Sequence, residues 1–182
     1  LKEIPYWRDG SLDLYTPGGD YVVVKFARWA FEKFPQARDC LGTQMKAVGE
    51  VMSIGKTFKE AMQKAIRSLE IGRHGLGCVK KIEKLSVSEL RGKLVMPSSE
   101  RYFLIYEAFK RGITVDEIEK TTRITRYFLE QIAELAALEL ELQKQNFISL
   151  PDELLIKAKR DGFSDKYLAK LFKVDEKTVR DR

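Results

Sequence analysis

Few residues in this chain could perform covalent or metal chemistry, and they do not converge. There is one histidine, His74, and there are two cysteines, Cys40 and Cys78. His74 lies in the Gly-rich run 71–77 without the set of Cys or His donors that a zinc site takes, so no metal site is expected. A nucleophilic triad needs a base oriented by a third group, and one histidine without apparent partners supplies none. Gly55-Lys56-Thr57 imitates the end of a phosphate-binding loop but lacks the earlier glycine of that motif, and no G-x-G-x-x-G run occurs. What remains is an acid–base pair, Lys46 and Glu50, in a stretch with three glycines (Gly42, Gly49, Gly55) and three methionines (Met45, Met52, Met62). At i,i+4 spacing the pair reads as simple helix pairing or as the polar lining of a buried passage. The methionines read as core filler.

The elements that must position these residues follow from local pattern. Glycines this dense are costly unless the backbone needs positive φ or close approach, which predicts a constrained internal turn region within 41–70. Asp20 to Lys25, after Pro17-Gly18-Gly19, is a β-branched apolar run and reads as a buried strand. Arg28 to Phe34 reads as a helical turn ended by Pro35, and Gly55 stops whatever Val48 to Ile54 forms. Thr57 with Glu60 makes a capping box for a helix whose stripe is Phe58, Ala61, Met62, Ala65, Ile66 and Leu69. From 71 to 97 the pattern fades, with only a weak helical turn at Ser86 to Leu90, and this reads as a linker between domains.

Beyond Ser98 the chain reads as helix throughout, and it repeats itself. RGITVDEIEKTTRI aligns with DGFSDKYLAKLFKV at an offset of 50, pairing Gly112 with Gly162, Thr114 with Ser164 and Ile118 with Leu168. Each unit predicts a helix ended by a left-handed glycine, then a hydroxyl cap opening the next helix. A long helix from Thr125 to Lys144 joins the two, with Tyr127, Leu129, Ile132, Leu135, Leu138 and Leu142 on one apolar face. The expected class is mainly α.

Composition bounds the function. The 182 residues are 44% apolar and 33% charged with a net charge of +6, as in a soluble globular protein with an ion-paired surface. No apolar run is long enough to span a bilayer, which sets a membrane partner aside. Two free thiols fit a reducing, cytoplasmic setting. The start, LKEIPYWRDG, has neither a signal-peptide pattern nor an initiator Met, so a fragment is expected. A DNA-binding helix-turn-helix is the alternative, with Lys177, Arg180 and Arg182 on the recognition element. Asp175, Glu176 and Asp181 on that same element would repel phosphates, as would Asp116, Glu117 and Glu119 in the first unit, so no nucleic-acid partner is expected.

Longer strings of sequence decide between these readings. DYVVVKFARWAFEKFP and LGTQMKAVGEVMSIGKTFKEAMQKAIRSLE resemble the end of the first ATP-grasp (carboxyphosphate) unit of carbamoyl-phosphate synthase large subunits. RYFLIYEAFKRGITVDEIEKTTRITRYFLEQI and GFSDKYLAKLFKVDEKTVRDR resemble the helical oligomerization domain between that family's synthetase halves. Phe26-Ala27-Arg28-Trp29 departs from the family's proline-containing run at that place. The resemblance implies two parts, 1–70 as the α/β tail of the ATP-grasp unit and 71–182 as an all-α domain with two helix-turn-helix-like repeats. It implies an ATP-dependent ligase as the parent, serving arginine and pyrimidine biosynthesis, which makes carbamoyl phosphate from bicarbonate, glutamine-derived ammonia and two ATP with Mg2+ or Mn2+. The segment itself would be inactive, with no catalytic, cofactor or metal residue. It would join the remainder of the large subunit, work beside a glutaminase small subunit and form homo-oligomers through its helices. Met45, Val48 and Glu50 would line the passage for carbamate, with Glu50 as a plain structural carboxylate the competing reading.

Overall fold

The computed structural model describes residues 19–182 apart from Glu32 and Pro35, together with the isolated positions Glu3 and Gly10. The expected turn at Pro17-Gly18 and the stop at Pro35 lie outside the described residues. Two strands open the described chain, β1 (Val22–Trp29) and β2 (Ala47–Gly55). They pair antiparallel from Val22 opposite Gly55 to Arg28 opposite Gly49, with an irregularity before Trp29, which faces Ala47. Arg28 and Trp29 are therefore strand, not helical turn, and the stretch that Gly55 ends is strand too. Nor is β1 buried on both faces. Phe26 points inward at 7% exposure while Val23 on the other face is 43% exposed, because among the described residues a helix lies against one face of the hairpin and none against the other.

That helix is α1 (Phe58–Ser68), which packs on both strands. Thr57 caps it, its hydroxyl accepting from the Glu60 N–H at 3.2 Å. The reciprocal half of the expected box is displaced by one residue, since the Glu60 carboxylate accepts from Lys56 N at 2.7 Å. The glycine-dense stretch is mostly hairpin strand, not a turn region, and Gly42, Gly49 and Gly55 all keep negative φ. Only Gly55 is demanded by close approach, because a Cβ there would lie 2.8 Å from Ala61 N. Of the three methionines Met62 is core, whereas Met45 and Met52 are exposed.

Residues 71–97 carry more structure than a linker. They hold α2 (Lys80–Glu83) and α3 (Val87–Leu94), the latter opened by a full capping box between Ser86 and Glu89. Leu76, Ile82, Leu90 and Leu94 from this stretch are buried. The helices continue with α4 (Arg101–Lys110), α5 (Val115–Thr122), α6 (Arg126–Gln143), a 3-10 turn at Phe147–Ser149, α7 (Asp152–Arg160), α8 (Asp165–Phe172) and α9 (Glu176–Arg180). Among the described residues the protein is thus mainly helical with one small two-stranded sheet. The turns after α4 and α7 are built alike. Gly112 and Gly162 sit at φ +79° and +93°. Ile113 N donates to Ala108 O and Phe163 N to Ala158 O, both at 3.0 Å. Thr114 and Ser164 then cap α5 and α8, each hydroxyl accepting from the N–H three residues on. Arg123 and Lys173 close those helices in the left-handed conformation.

The long helix α6 buries Leu129, Ile132, Leu135, Leu138 and Leu142 against α4 and its neighbours. Tyr127 departs from the expected face: it is half exposed and meets the rings of Phe58 and Phe128. One continuous apolar core runs from Phe26 on β1 to Val179 on α9.

Candidate functional site

The most elaborate polar arrangement sits at the centre of the helices, where sequence reading placed none. Glu139 of α6 is fully buried. Its Oε2 accepts from Tyr106 Oη of α4 at 2.7 Å and from Tyr167 Oη of α8. Its Oε1 accepts from Lys110 Nζ at 2.6 Å and from Gln143 Nε2 at 3.3 Å. A buried carboxylate needs this many donors to offset its lost hydration. Burial, and then the charge of Glu139, pushes the Tyr106 phenol well above its ordinary pKa; burial does the same at Tyr167, with Tyr106 and Glu139 behind it. Burial works against the Lys110 charge, but the Glu139 carboxylate outweighs it and raises the ammonium.

The backbone of 71–79 closes over this network. A Cβ on Gly77 would stand 2.6 Å from Glu139 Oε2 and 2.8 Å from Tyr106 Cε1, so only glycine fits. The next residue, Cys78, has φ +57°, and burial first, then Glu139, raises its thiol. Both cysteines are free. Phenols held protonated, a lysine held charged and a carboxylate with every oxygen engaged offer no base or nucleophile to a substrate. The arrangement pins three helices and a strap together.

A second set of bonds fastens α1 to the turn after α7. Lys59 Nζ lies 3.0 Å from Asp161 Oδ2 and 3.0 Å from Glu134 Oε2, and Arg67 Nη1 donates to Gly162 O at 2.6 Å. Gln63 is buried and accepts from Leu76 N at 3.1 Å. On the other side of the strap, Arg73 stacks 3.8 Å above the Phe103 ring and grips both oxygens of Glu100 at 2.6 and 2.7 Å.

The three residues singled out from sequence lie elsewhere, two of them on the uncovered side of the hairpin. Met45 precedes β2 and is 90% exposed, while Val48 and Glu50 share the outer face of β2 with Met52 and Ile54. Glu50 pairs with Lys25 of β1 at 2.8 Å, both exposed. The helical pairing of Glu50 with Lys46 is overturned, since residues 47–55 are strand; Lys46 Nζ donates instead to Cys40 O at 2.6 Å. The structure brings Val48 and Glu50 onto one face and, among the described residues, leaves that face without a wall opposite it.

Two of the three cations of the DNA-binding alternative, Arg180 and Arg182, are already engaged. Arg180 pairs with Glu176 at 2.8 Å and with Asp165 at 3.5 Å. Arg182 turns inward to donate to Phe147 O and Leu150 O and pairs with Asp152 at 3.0 Å. Among the described residues there is no group of three His, Cys, Asp or Glu side chains that could hold a metal, and no helix long and apolar enough to cross a membrane.

Residues 50–182 match the family described as carbamoyl-phosphate synthetase large chain, oligomerisation domain. The carbamoyl phosphate synthase large chain of Archaeoglobus fulgidus is 46% identical over 170 residues, covering 91% of this chain and 16% of that protein. The large chain of Pseudomonas aeruginosa is 45% identical over 172 residues with the same coverage of both. In Methanopyrus kandleri the similar protein is a carbamoyl phosphate synthase large chain, N-terminal section, 44% identical over 179 residues, covering 92% of this chain and 32% of that one. The chain therefore spans between about a sixth and a third of the relatives it matches.

Proposed function

The chain belongs to the family of carbamoyl-phosphate synthetase large chains, and from that premise we propose that it is an internal, non-catalytic piece of such a synthase. Residues 1–70 are the end of the carboxyphosphate ATP-grasp unit and 71–182 the helical oligomerization domain, with the turns at Gly112 and Gly162 heading two copies of one helix-turn-helix-like unit. The identical hydrogen bonds at those turns support the repeat. The piece joins the two synthetase halves and carries assembly into homo-oligomers, in a cytoplasmic enzyme with a glutaminase small subunit. The parent makes carbamoyl phosphate from bicarbonate, glutamine-derived ammonia and two ATP, with Mg2+ or Mn2+ held outside this piece.

The observation that carries the reading is the outer face of the hairpin. Val23, Val48, Met52 and Ile54 stand there between 43% and 64% exposed on a two-stranded sheet. Apolar side chains exposed around the Lys25–Glu50 pair on one sheet face are of the kind that a further layer covers. Met45, Val48 and Glu50 line the passage for carbamate once the layer is in place, Glu50 keeping the wall polar.

The purified chain is expected to show no ATP turnover and no ATP binding above background in calorimetry; turnover would overturn the proposal. A chimera in which this chain replaces the matching segment of the A. fulgidus large chain is expected to keep carbamoyl-phosphate synthesis. In that chimera Glu50→Ala is expected to raise the ATP spent per product formed, and an unchanged ratio would reject the lining role.

A further inference from the structure

Between α2, α3, the start of α4 and the strap at Arg73 lies a cavity of about 650 Å³. Its wall is apolar, made by Val79, Ile82, Leu85, Met96 and Leu104. Two acids reach it, and both are engaged within the protein. Asp39 accepts from Ser99 N at 2.8 Å and from Ser99 Oγ at 2.7 Å, and Glu100 is held by Arg73. Lys81 and Lys93 also line the cavity; both are exposed, and among the described residues neither is in an ion pair.

The surroundings reinforce that imbalance of charge. Lys80 and Lys84 are exposed on the same stretch and, among the described residues, are in no ion pair either. Of the two acids in 80–93, Glu89 accepts from Ser86 N and Oγ, both at 2.7 Å, and Glu83 lies outside the lining. A concave apolar wall with a few polar groups at its rim is the form of a small-molecule site, which takes about 300–1,000 Å³. Rim cations without partners add a requirement for negative charge and raise the local concentration of anions at the mouth. The outer face of the hairpin differs on both counts: it is a strand surface, and its charges, Lys25 and Glu50, pair with each other. A covering layer suits that face, and a compact anion suits this cavity.

We propose that this cavity binds a small organic anion, its apolar body against Ile82, Leu85 and Leu104 and its charged group at Lys81 and Lys93. The site stands independently of the assembly role and of the passage at the hairpin.

Fluorescence titration of the purified chain with anilinonaphthalene sulfonate, an aromatic anion that brightens in apolar surroundings, tests it. The double variant Lys81→Gln, Lys93→Gln is expected to weaken binding of this dye about fivefold, with an unchanged circular dichroism spectrum. Met52→Glu, on the outer face of the hairpin, is expected to leave it as it is. Phenylnaphthylamine, the same aromatic body without the sulfonate, is expected to bind the double variant and the wild-type chain alike. Absence of sulfonate-dye binding, a loss with Met52→Glu but not with the lysine variant, or an equal loss of both dyes would each overturn the proposal. In the chimera with the A. fulgidus large chain the lysine-dependent binding is expected to persist. Its disappearance there would assign the cavity to another segment of the large chain and reject the small anion.

Discussion

The turns at Gly112 and Gly162 have the same backbone, the same left-handed glycine and the same hydroxyl cap, yet they do different work. Around Gly112 there is open space: a Cβ there would meet nothing within 4 Å. Around Gly162 there is α1, and a Cβ would come to 2.9 Å from the Gln63 side chain and 3.0 Å from Glu60 Cα. Its carbonyl is taken by Arg67 and the preceding Asp161 by Lys59. Fifty residues apart, one glycine is needed for its φ alone, the other for its φ and its size. Local sequence specifies how a turn closes; what the turn is pressed against is specified by a helix about a hundred residues away.

The variant expected to damage both units most is Glu139→Gln, because Glu139 joins the helix before the first turn (Tyr106, Lys110) to the helix after the second (Tyr167). It leaves the buried Lys110 ammonium with only the more distant Glu107 carboxylate, 3.7 Å away, as counter-charge, a loss of about 3 kcal/mol in urea unfolding; a change under about 1 kcal/mol would show that the network is not a pin. Next comes Gly162→Ala, which combines left-handed strain of about 1–2 kcal/mol with overpacking of about 1–3 kcal/mol. Gly112→Ala bears the strain alone and is expected to lose about 1 kcal/mol. Equal losses for the two glycines would erase the contrast. The caps sharpen it from the other side: Thr114→Ala and Ser164→Ala are each expected to lose about 1 kcal/mol, equally, because the hydroxyls do the same local work.

The smallest effect is on pH dependence. The Lys159 ammonium bonded to Asp165, beyond the second turn, holds that carboxyl below its ordinary range, with Arg180 adding to it. A carboxyl depressed in the folded state contributes stability above its unfolded pKa and loses it as pH falls through the folded one. Thermal melts between pH 6 and pH 3 are therefore expected to show Asp165→Asn less acid-sensitive than wild type, by under about 1 kcal/mol. The first unit has Val115 in the equivalent place.

Much of the helical part was legible because its signals are local. The caps at Thr57, Thr114 and Ser164, the left-handed glycines and the stripe of α6 each lie within a few residues of what they control. The second strand was hidden for a physical reason: β2 exposes Val48, Met52 and Ile54 and turns Ser53 and Gly55 inward, the reverse of the pattern that marks a one-sided strand. Ser86 and Glu89 carried a complete capping box that the surrounding glycines obscured. Glu139 had a signal that passed unread, an acid on the same helical stripe as Ile132, Leu135 and Leu142. Its partners come from α4 and α8, whose approach no single stretch of sequence announces.

The bonds from Lys59 to Asp161 and from Arg67 to Gly162 also have a mechanical meaning. A force applied to the hairpin runs down α1 to the turn after α7, about a hundred residues away in sequence. α1 thus acts as a tie rod between distant stretches of sequence.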